Sequence, residues 1–308
     1  MTYRVGIVGF GKIAQDQHLP VIAASPAFEL AGVVSRHASG PKGVPSFRDH
    51  AAMLASLPNL DAVAICTPPL PRHDIARDCL NAGKHVLLEK PPGATVAEIM
   101  SLQAVAQKSR RTLFTAWHSR FAPAVEPARL WLAERKITSV KIKWKEDVRV
   151  WHPGQAWIFK PGGLGVSDPG INALSILTSI LPQPLFVTSA DLAFPANRDA
   201  PIAASLALSD AQGLKITAEF DFRQTGPQSW DIEIETDGGP VSISQGGRKL
   251  RVGDRQFVDA AKAEYPALYR RFRELAANGE CDVDLAPLQL VADAFLLGRR
   301  RTVEPFED

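Results

Sequence analysis

The chain has 308 residues, about twice the usual size of one domain, so two domains are expected. With 45% hydrophobic and 22% charged residues it has the composition of a globular protein with a sizeable core. A net charge of +2, from 35 basic and 33 acidic side chains, gives no electrostatic case for nucleic acid or an anionic membrane as a partner.

The sequence enters a strand at once, Tyr3–Val8, with no signal peptide ahead of it. No apolar run approaches the ~18 to 20 residues that span a bilayer, so a reducing cytoplasm is the expected location. Further strands are predicted over Glu29–Val34, Ala62–Cys66, His85–Leu88 and Thr112–Ala116, separated by helices over Asp49–Leu57, His73–Ala82 and Thr95–Ser109. Near-continuous apolar strands alternating with helices predict a doubly wound parallel sheet covered on both faces. Residues 1–120 are therefore expected to form a dinucleotide-binding Rossmann domain of the α/β class.

After a bridging helix over Ala124–Arg135 the pattern changes to period two, over residues 138–145, Lys215–Asp221, Asp231–Glu235 and Val241–Ser244. Such alternation marks antiparallel strands with one solvated face, and Asp237-Gly238-Gly239 signals a tight turn between two of them. Helices are predicted over Asp168–Leu181, Pro266–Ala277 and Pro287–Arg300, and the run Arg299-Arg300-Arg301 reads as a solvated helix end. Residues 121–308 are expected to form a substrate-binding and oligomerisation domain, α/β with an open, mostly antiparallel sheet. Cys66, Cys79 and Cys281 show neither metal-ligand nor CxxC spacing, so no metal is expected, and their odd number argues against a disulfide framework. Cys66 and Cys79 lie in apolar stretches and read as small buried hydrophobes.

The first strand ends in Gly9-Phe10-Gly11-Lys12-Ile13-Ala14, a GxGxxA turn leading into a helix. The first glycine permits the turn, the second lets the backbone approach a pyrophosphate, and Ala14 allows close helix–strand packing. The second strand runs into Ser35-Arg36-His37, without the acidic residue that bonds the adenosine ribose of NAD. A hydroxyl, a guanidinium and an imidazole suit a 2′-phosphate, so NADP is expected as the preferred cofactor, with NAD accepted; the alternative is that Arg36 only faces water. Two more strands run into Thr67-Pro68-Pro69, with His73 beyond, and into Glu89-Lys90-Pro91-Pro92. These loops fall at the carboxyl edge of the sheet, where cofactors bind.

In this order and spacing, Gly9-x-Gly11-x-x-Ala14, Thr67-Pro68-Pro69, Glu89-Lys90-Pro91 and Gly162-Gly163 followed by Asp168 resemble the glucose–fructose oxidoreductase / inositol dehydrogenase (Gfo/Idh/MocA) family. The resemblance covers essentially the whole chain and implies Lys90 and Asp168 at the catalytic centre, with a homodimer as the assembly. One departure matters: many members carry a histidine four residues after the aspartate, and here that residue is Asn172, which excludes a histidine proton relay at this position. Glu89-Lys90-Pro91-Pro92-Gly93, Trp144-Lys145-Glu146-Asp147-Val148-Arg149, Trp151-His152-Pro153-Gly154 and Asp168-Pro169-Gly170-Ile171-Asn172 are most similar to bacterial members that oxidise C1 of L-arabinose or D-galactose. That resemblance implies a small aldose substrate, an aldonolactone product, and sugar contacts from His118, Glu146, Trp151, His152, Asn172 and Trp230.

Read without the resemblance, these residues are less specific. Asp168 before Pro169 reads as a helix N-cap with proline at the first helical position. Trp151 lies in a loop-like stretch, where a flat apolar face beside polar groups suits a pyranose, and core packing is the alternative for it and for Trp157. For the reaction that the resemblance implies, the proton leaving O1 needs a base within hydrogen-bond reach, and Lys90 and Asp168 are the candidates. Two other readings stay open: a family oxidoreductase acting on a cyclitol or another carbonyl compound, and a non-catalytic dinucleotide sensor.

Overall fold

The computed structural model describes residues 2–307. These form two compact units, one holding residues up to Ala116 together with Tyr265–Asp284, the other Trp117–Glu264 together with the chain from Leu285 onward.

The first unit is built on a six-stranded parallel sheet: β1 (Tyr3–Val8), β2 (Phe28–Val34), β3 (Ser46–Phe47), β4 (Ala62–Ile65), β5 (His85–Glu89) and β6 (Leu113–Ala116), in the order β3-β2-β1-β4-β5-β6. The order reverses between β1 and β4, the switch point at which dinucleotides bind in such sheets. β4 and β6 are buried along their whole length, which is why their sequences are continuous apolar runs. Helices begin where the sequence supplies caps: Asp49 accepts from the Ala52 N–H at 2.7 Å ahead of His50–Ser56. Thr95 and Glu98 form a reciprocal capping box ahead of Val96–Ser109.

The expected boundary at residue 120 misses a return of the chain. The helix Glu264–Asn278 carries Tyr265, Tyr269 and Phe272 at helical spacing, all buried. Tyr269 packs edge-on against Phe28 of β2 at 5.2 Å, and Phe272 stacks near Phe114 of β6 at 6.1 Å. Each such side chain contributes about 1.5–3 kcal/mol by leaving water. Asp282 then bonds through its main chain to Leu113 and Thr115, extending the sheet by one bridge.

The second unit is a nine-stranded sheet: β7 (Ile137–Lys145), β8 (Phe186–Pro195), β9 (Ala203–Ser209), β10 (Lys215–Asp221), β11 (Ser229–Thr236), β12 (Val241–Ser244), β13 (Lys249–Val252), β14 (Arg255–Asp259) and β15 (Arg299–Val303). Their order is β14-β13-β12-β11-β7-β10-β9-β8-β15. The pairing is mostly antiparallel, as expected, but β10 runs parallel to β7 and β15 parallel to β8. The C-terminal segment is corrected here: the helix spans Ala286–Leu297, and Arg299-Arg300-Arg301 lie in an edge strand instead of a helix end. Arg299 and Arg301 reach Asp191 at 3.7 and 3.4 Å, and Arg300 covers the Phe194 ring. Charge along an edge strand discourages further pairing. Among the described residues no helix is long and apolar enough to cross a membrane.

Candidate active site

The loops after β1, β2, β4 and β5 share the carboxyl edge of the parallel sheet. Gly9 adopts a left-handed φ of +91°, and a Cβ there would stand 2.6 Å from the Thr67 nitrogen. The turn thus requires glycine because two strand ends approach closely. At Gly11 a Cβ would meet nothing within 4 Å, so this position faces open space, while Ala14 is fully buried. Beside the turn, Thr67 Oγ1 is buried with no hydrogen-bond partner among the described residues. An open backbone cradle and an orphaned hydroxyl at the switch point fit a nicotinamide dinucleotide. Of the neighbouring residues, Phe10 and Pro69 are buried, Ile13 is half-buried, and Lys12 and Pro68 are exposed. Ser35 Oγ accepts from the His37 and Ala38 amides at 3.2 and 3.0 Å, folding the loop so that Arg36 and His37 project into solvent.

Two residues at this edge serve the protein itself. His73 pairs with Asp74 at 3.1 Å and Ser101 at 3.4 Å. Glu89, expected to face cofactor, is 2% exposed; its carboxylate accepts from Tyr265 at 2.7 Å and from the Lys90 amide at 3.0 Å and pairs with His18 at 2.9 Å. Burying a carboxylate is costly unless it is paired, and these three partners offset that cost; Lys90 beside it is half-buried. A residue missed in the sequence, Arg72, binds both loops together: its buried guanidinium donates to the carbonyls of Thr67, Glu89 and Pro91. A cleft of about 580 Å3 opens at the opposite, amino edge among Tyr3, Lys84, Arg111 and Arg273, and none of the motif residues lines it.

In the second unit, Glu146 follows β7. Its amide bonds Asp221 O at 2.9 Å, its carboxylate accepts the Trp230 indole N–H at 2.9 Å, and the residue is 5% exposed. Asp147 next to it caps the turn Val148–Trp151 through the Arg149 amide, and its own amide is held by Gln228 at 2.9 Å. The turn delivers Trp151, 40% exposed and edge-on to Trp230 at 5.2 Å, and then His152, whose ring lies edge-on to buried Phe222 at 5.6 Å.

Asp168 enters from another direction. Gly163 and Gly165 precede it, and a Cβ at either would sit 2.2–2.3 Å from a backbone oxygen, so the approach to the helix Ser167–Ile180 is fixed by close packing. The N-cap expectation is corrected: Val166 occupies that position, and Asp168 lies inside the first turn, almost fully buried. Gly170 brings the helix against Phe220 of β10, where a Cβ would be 2.6 Å from the ring. Asn172 follows one turn later, half-buried.

The geometry therefore gathers Glu146, Trp151, His152, Asp168 and Trp230. His152 Nε2 lies 3.7 Å from Glu146 Oε1 and 3.8 Å from Asp168 Oδ2, within ion-pair reach of two buried carboxylates. Position 172 offers no imidazole, as its sequence requires, but His152 supplies one beside Asp168. His118 stands in the separate turn His118–Phe121, with Nδ1 3.4 Å from Ser119 Oγ, and Trp157 is half-buried in the turn Ala156–Phe159. Sequence reasoning missed Gln228 and Phe222, whose roles depend on pairing across 81 and 70 residues of chain (147 to 228, 152 to 222).

Residues 3–117 match the oxidoreductase family with the NAD-binding Rossmann fold. Galactose 1-dehydrogenase of Pseudomonas fluorescens is 49% identical over 310 residues, covering 99% of each chain. The crystal structure of D-galactose-1-dehydrogenase from Rhizobium etli matches with a TM-score of 0.94 and 55% identity, over 99% of this chain and 98% of that one. A 3-ketoreductase from Actinomadura kijaniata, solved with NADP and TDP-benzene, shares the fold at a TM-score of 0.85 and 22% identity, over 98% and 100% of the two chains. With identities of 49% and 55% to the two galactose dehydrogenases over nearly the whole chain, and a family match over residues 3–117, the chain belongs to the Gfo/Idh/MocA family of oxidoreductases.

Proposed function

We propose that the protein is an aldose 1-dehydrogenase that oxidises D-galactose, and L-arabinose as well, to the aldonolactone, using NADP in preference to NAD. The observation that carries this reading is identity of 49% and 55% to two galactose 1-dehydrogenases along essentially the entire chain. The site residues support it chemically. When bound, the nicotinamide accepts the hydride that leaves C1. Gly9 to Ile13 and Thr67 to Pro69 hold the dinucleotide, and Ser35, Arg36 and His37 receive a 2′-phosphate without an opposing carboxylate.

Asp168 takes the O1 proton, and Lys90 orients O1 and stabilises its developing charge. This assignment is supported by His152, which is 3.8 Å from Asp168 and whose side chain is 16% exposed, giving the proton a way to solvent. Loose distances of this kind tighten when substrate is bound. Glu146 accepts sugar hydroxyls, while Trp151 and Trp230 offer the apolar face that a pyranose ring packs against. His118 and Asn172 supply further polar contacts to the sugar.

Galactose and arabinose share configuration at C2, C3 and C4, so a site gripping those carbons accepts both. Glucose carries the C4 hydroxyl in the opposite orientation, leaving a buried polar group unpaired at about 1–3 kcal/mol, or roughly ten- to a hundredfold in catalytic efficiency. Initial rates of NADPH formation on the three sugars test the proposal. Galactose and arabinose are expected within about tenfold of each other, since one carbon in a pocket is worth ~1–3 kcal/mol. Glucose as the best substrate overturns it.

A further inference from the structure

Behind Lys90 lies a set of buried polar groups that the reaction proposed above does not use. His18 is the last residue of the π turn Ala14–His18, within the helix that follows the glycine-rich loop, and it is fully buried. π turns insert an extra residue and recur at functional sites. His18 Nδ1 pairs with the Tyr269 hydroxyl at 2.8 Å and Nε2 with Glu89 Oε1 at 2.9 Å. Tyr265 and Tyr269 flank the imidazole edge-on at 5.2 and 5.7 Å. Glu89 uses its other oxygen, Oε2, to hold the Lys90 amide at 3.0 Å. Arg72 meanwhile grips the carbonyls of Glu89 and Pro91 on either side of Lys90.

Stability alone does not call for such a set. Buried ion pairs are on average no better than apolar residues of the same volume, and what they can add is a defined geometry. Here the Glu89 carboxylate and the Arg72 guanidinium hold the main chain of residues 89–91 from both sides, and His18 and Tyr265 hold Glu89 in turn, so the backbone that carries Lys90 is fixed.

We infer that His18, Glu89 and Tyr265 form a buried positioning set that fixes the Lys90 backbone and hence the reach of its ammonium; this rests on the role proposed above for Lys90. Burial opposes a charge on His18, but Cys66, Tyr269 and Glu89 outweigh it and lift its pKa well above the ordinary imidazole value. At 2.9 Å, His18 Nε2 and Glu89 Oε1 are placed to pair as imidazolium and carboxylate, the form that a raised pKa favours.

The test uses Glu89→Gln, which keeps size and an acceptor but gives up the charge, together with His18→Gln and the milder Tyr265→Phe. In the NADP-loaded protein, amide deuterium exchange of the segment carrying Lys90 is expected to accelerate in the first two variants. Turnover on galactose should fall about tenfold or more, since small misplacements of a reacting group are costly. The sugar KM, and the NADPH Kd read by nucleotide fluorescence, should stay within about threefold, a split that marks loss of transition-state alignment. Met53→Ala, in the core of the same unit, controls for stability alone: it should lower Tm and leave turnover intact. Wild-type exchange in Glu89→Gln and His18→Gln overturns the inference, as does faster exchange with full turnover while Lys90→Ala is inactive. Faster exchange with full turnover in all variants, Lys90→Ala included, removes the catalytic role of Lys90 and leaves the backbone anchor standing. Should both charge variants fail to fold, Tyr265→Phe decides by the same readouts.

Discussion

Replacing Trp230 by phenylalanine removes one hydrogen-bond donor from the candidate sugar site and little else. The indole N–H donates to Glu146 Oε2 at 2.9 Å, and Glu146 is 5% exposed, so the lost partner is not readily replaced by bulk water. A hydrogen bond to a charged group contributes about 1.5–3 kcal/mol. The phenyl ring keeps part of the edge-on contact with Trp151, now at 5.2 Å between centroids, so the apolar surface is largely retained. Freed from Trp230, the carboxylate is expected to rotate toward His152, 3.7 Å away, and no longer to present its oxygens in one direction. If Glu146 receives sugar hydroxyls, kcat/KM for galactose should fall roughly ten- to a hundredfold, the kinetic equivalent of that bond. The assay is the initial rate of NADPH formation against galactose concentration, with Tm measured alongside. A kcat/KM unchanged within about twofold, in a protein of normal Tm, would refute the placement of Glu146 against the sugar.

The remaining predictions concern the first unit. Ser35→Asp should preserve the loop, because a carboxylate can still accept the His37 and Ala38 amides, yet set a charge against a 2′-phosphate at a cost of about 1–4 kcal/mol. NADP efficiency should drop far more than NAD efficiency, and an unchanged ratio removes these residues from the cofactor site. His18 faces Glu89 from β5, Cys66 from the end of β4, and Tyr265 and Tyr269 from the helix Glu264–Asn278, and its folded pKa is raised above 6.5. Its contribution to stability is then complete below that ordinary value and lost as pH rises through the higher folded value. Tm should decline on the alkaline side in the natural protein and less steeply in His18→Gln; parallel curves count against the charged pair.

What could be read from the sequence was set by whether the cause is local. β1 is predicted residue for residue because its apolar run and the glycine turn after it report on the same short segment. Gly9 is legible for the same reason: a left-handed turn at a strand end allows little else. Asp168 shows the limit of local signals. Proline marks the start of a helix only to within a residue or two, and tight packing at Gly163 and Gly165 starts this one at Ser167, with Val166 as the cap. The helix Glu264–Asn278 is visible as a helix, but its attachment to Phe28 and Phe114 depends on contacts across more than 150 residues. Arg299 to Arg301 look like a solvated helix end until β8 supplies a partner strand. His18 and Arg72 are least legible of all. A charged or titratable side chain in an amphipathic segment reads as surface, and only the fold reveals that its partners are backbone carbonyls and a buried carboxylate.

The exchange of histidine for Asn172 then has a structural consequence. An imidazole at that position would be carried on the same helix as Asp168, and its placement would depend on that helix alone. Here the imidazole beside Asp168 comes from His152, at the end of the turn Val148–Trp151. That turn starts at Asp147, held by Gln228, and adjoins Glu146, held by Trp230. The contacts that would orient the sugar and the group that would relay its proton thus share one support of a few residues. A substitution at Gln228 that loosens the turn is expected to shift His152 relative to Asp168 as well as Trp151 relative to Trp230. If these residues bind the sugar and relay its proton as proposed, the two tasks are coupled through this turn, and substrate changes engineered in it should rarely alter KM without altering kcat.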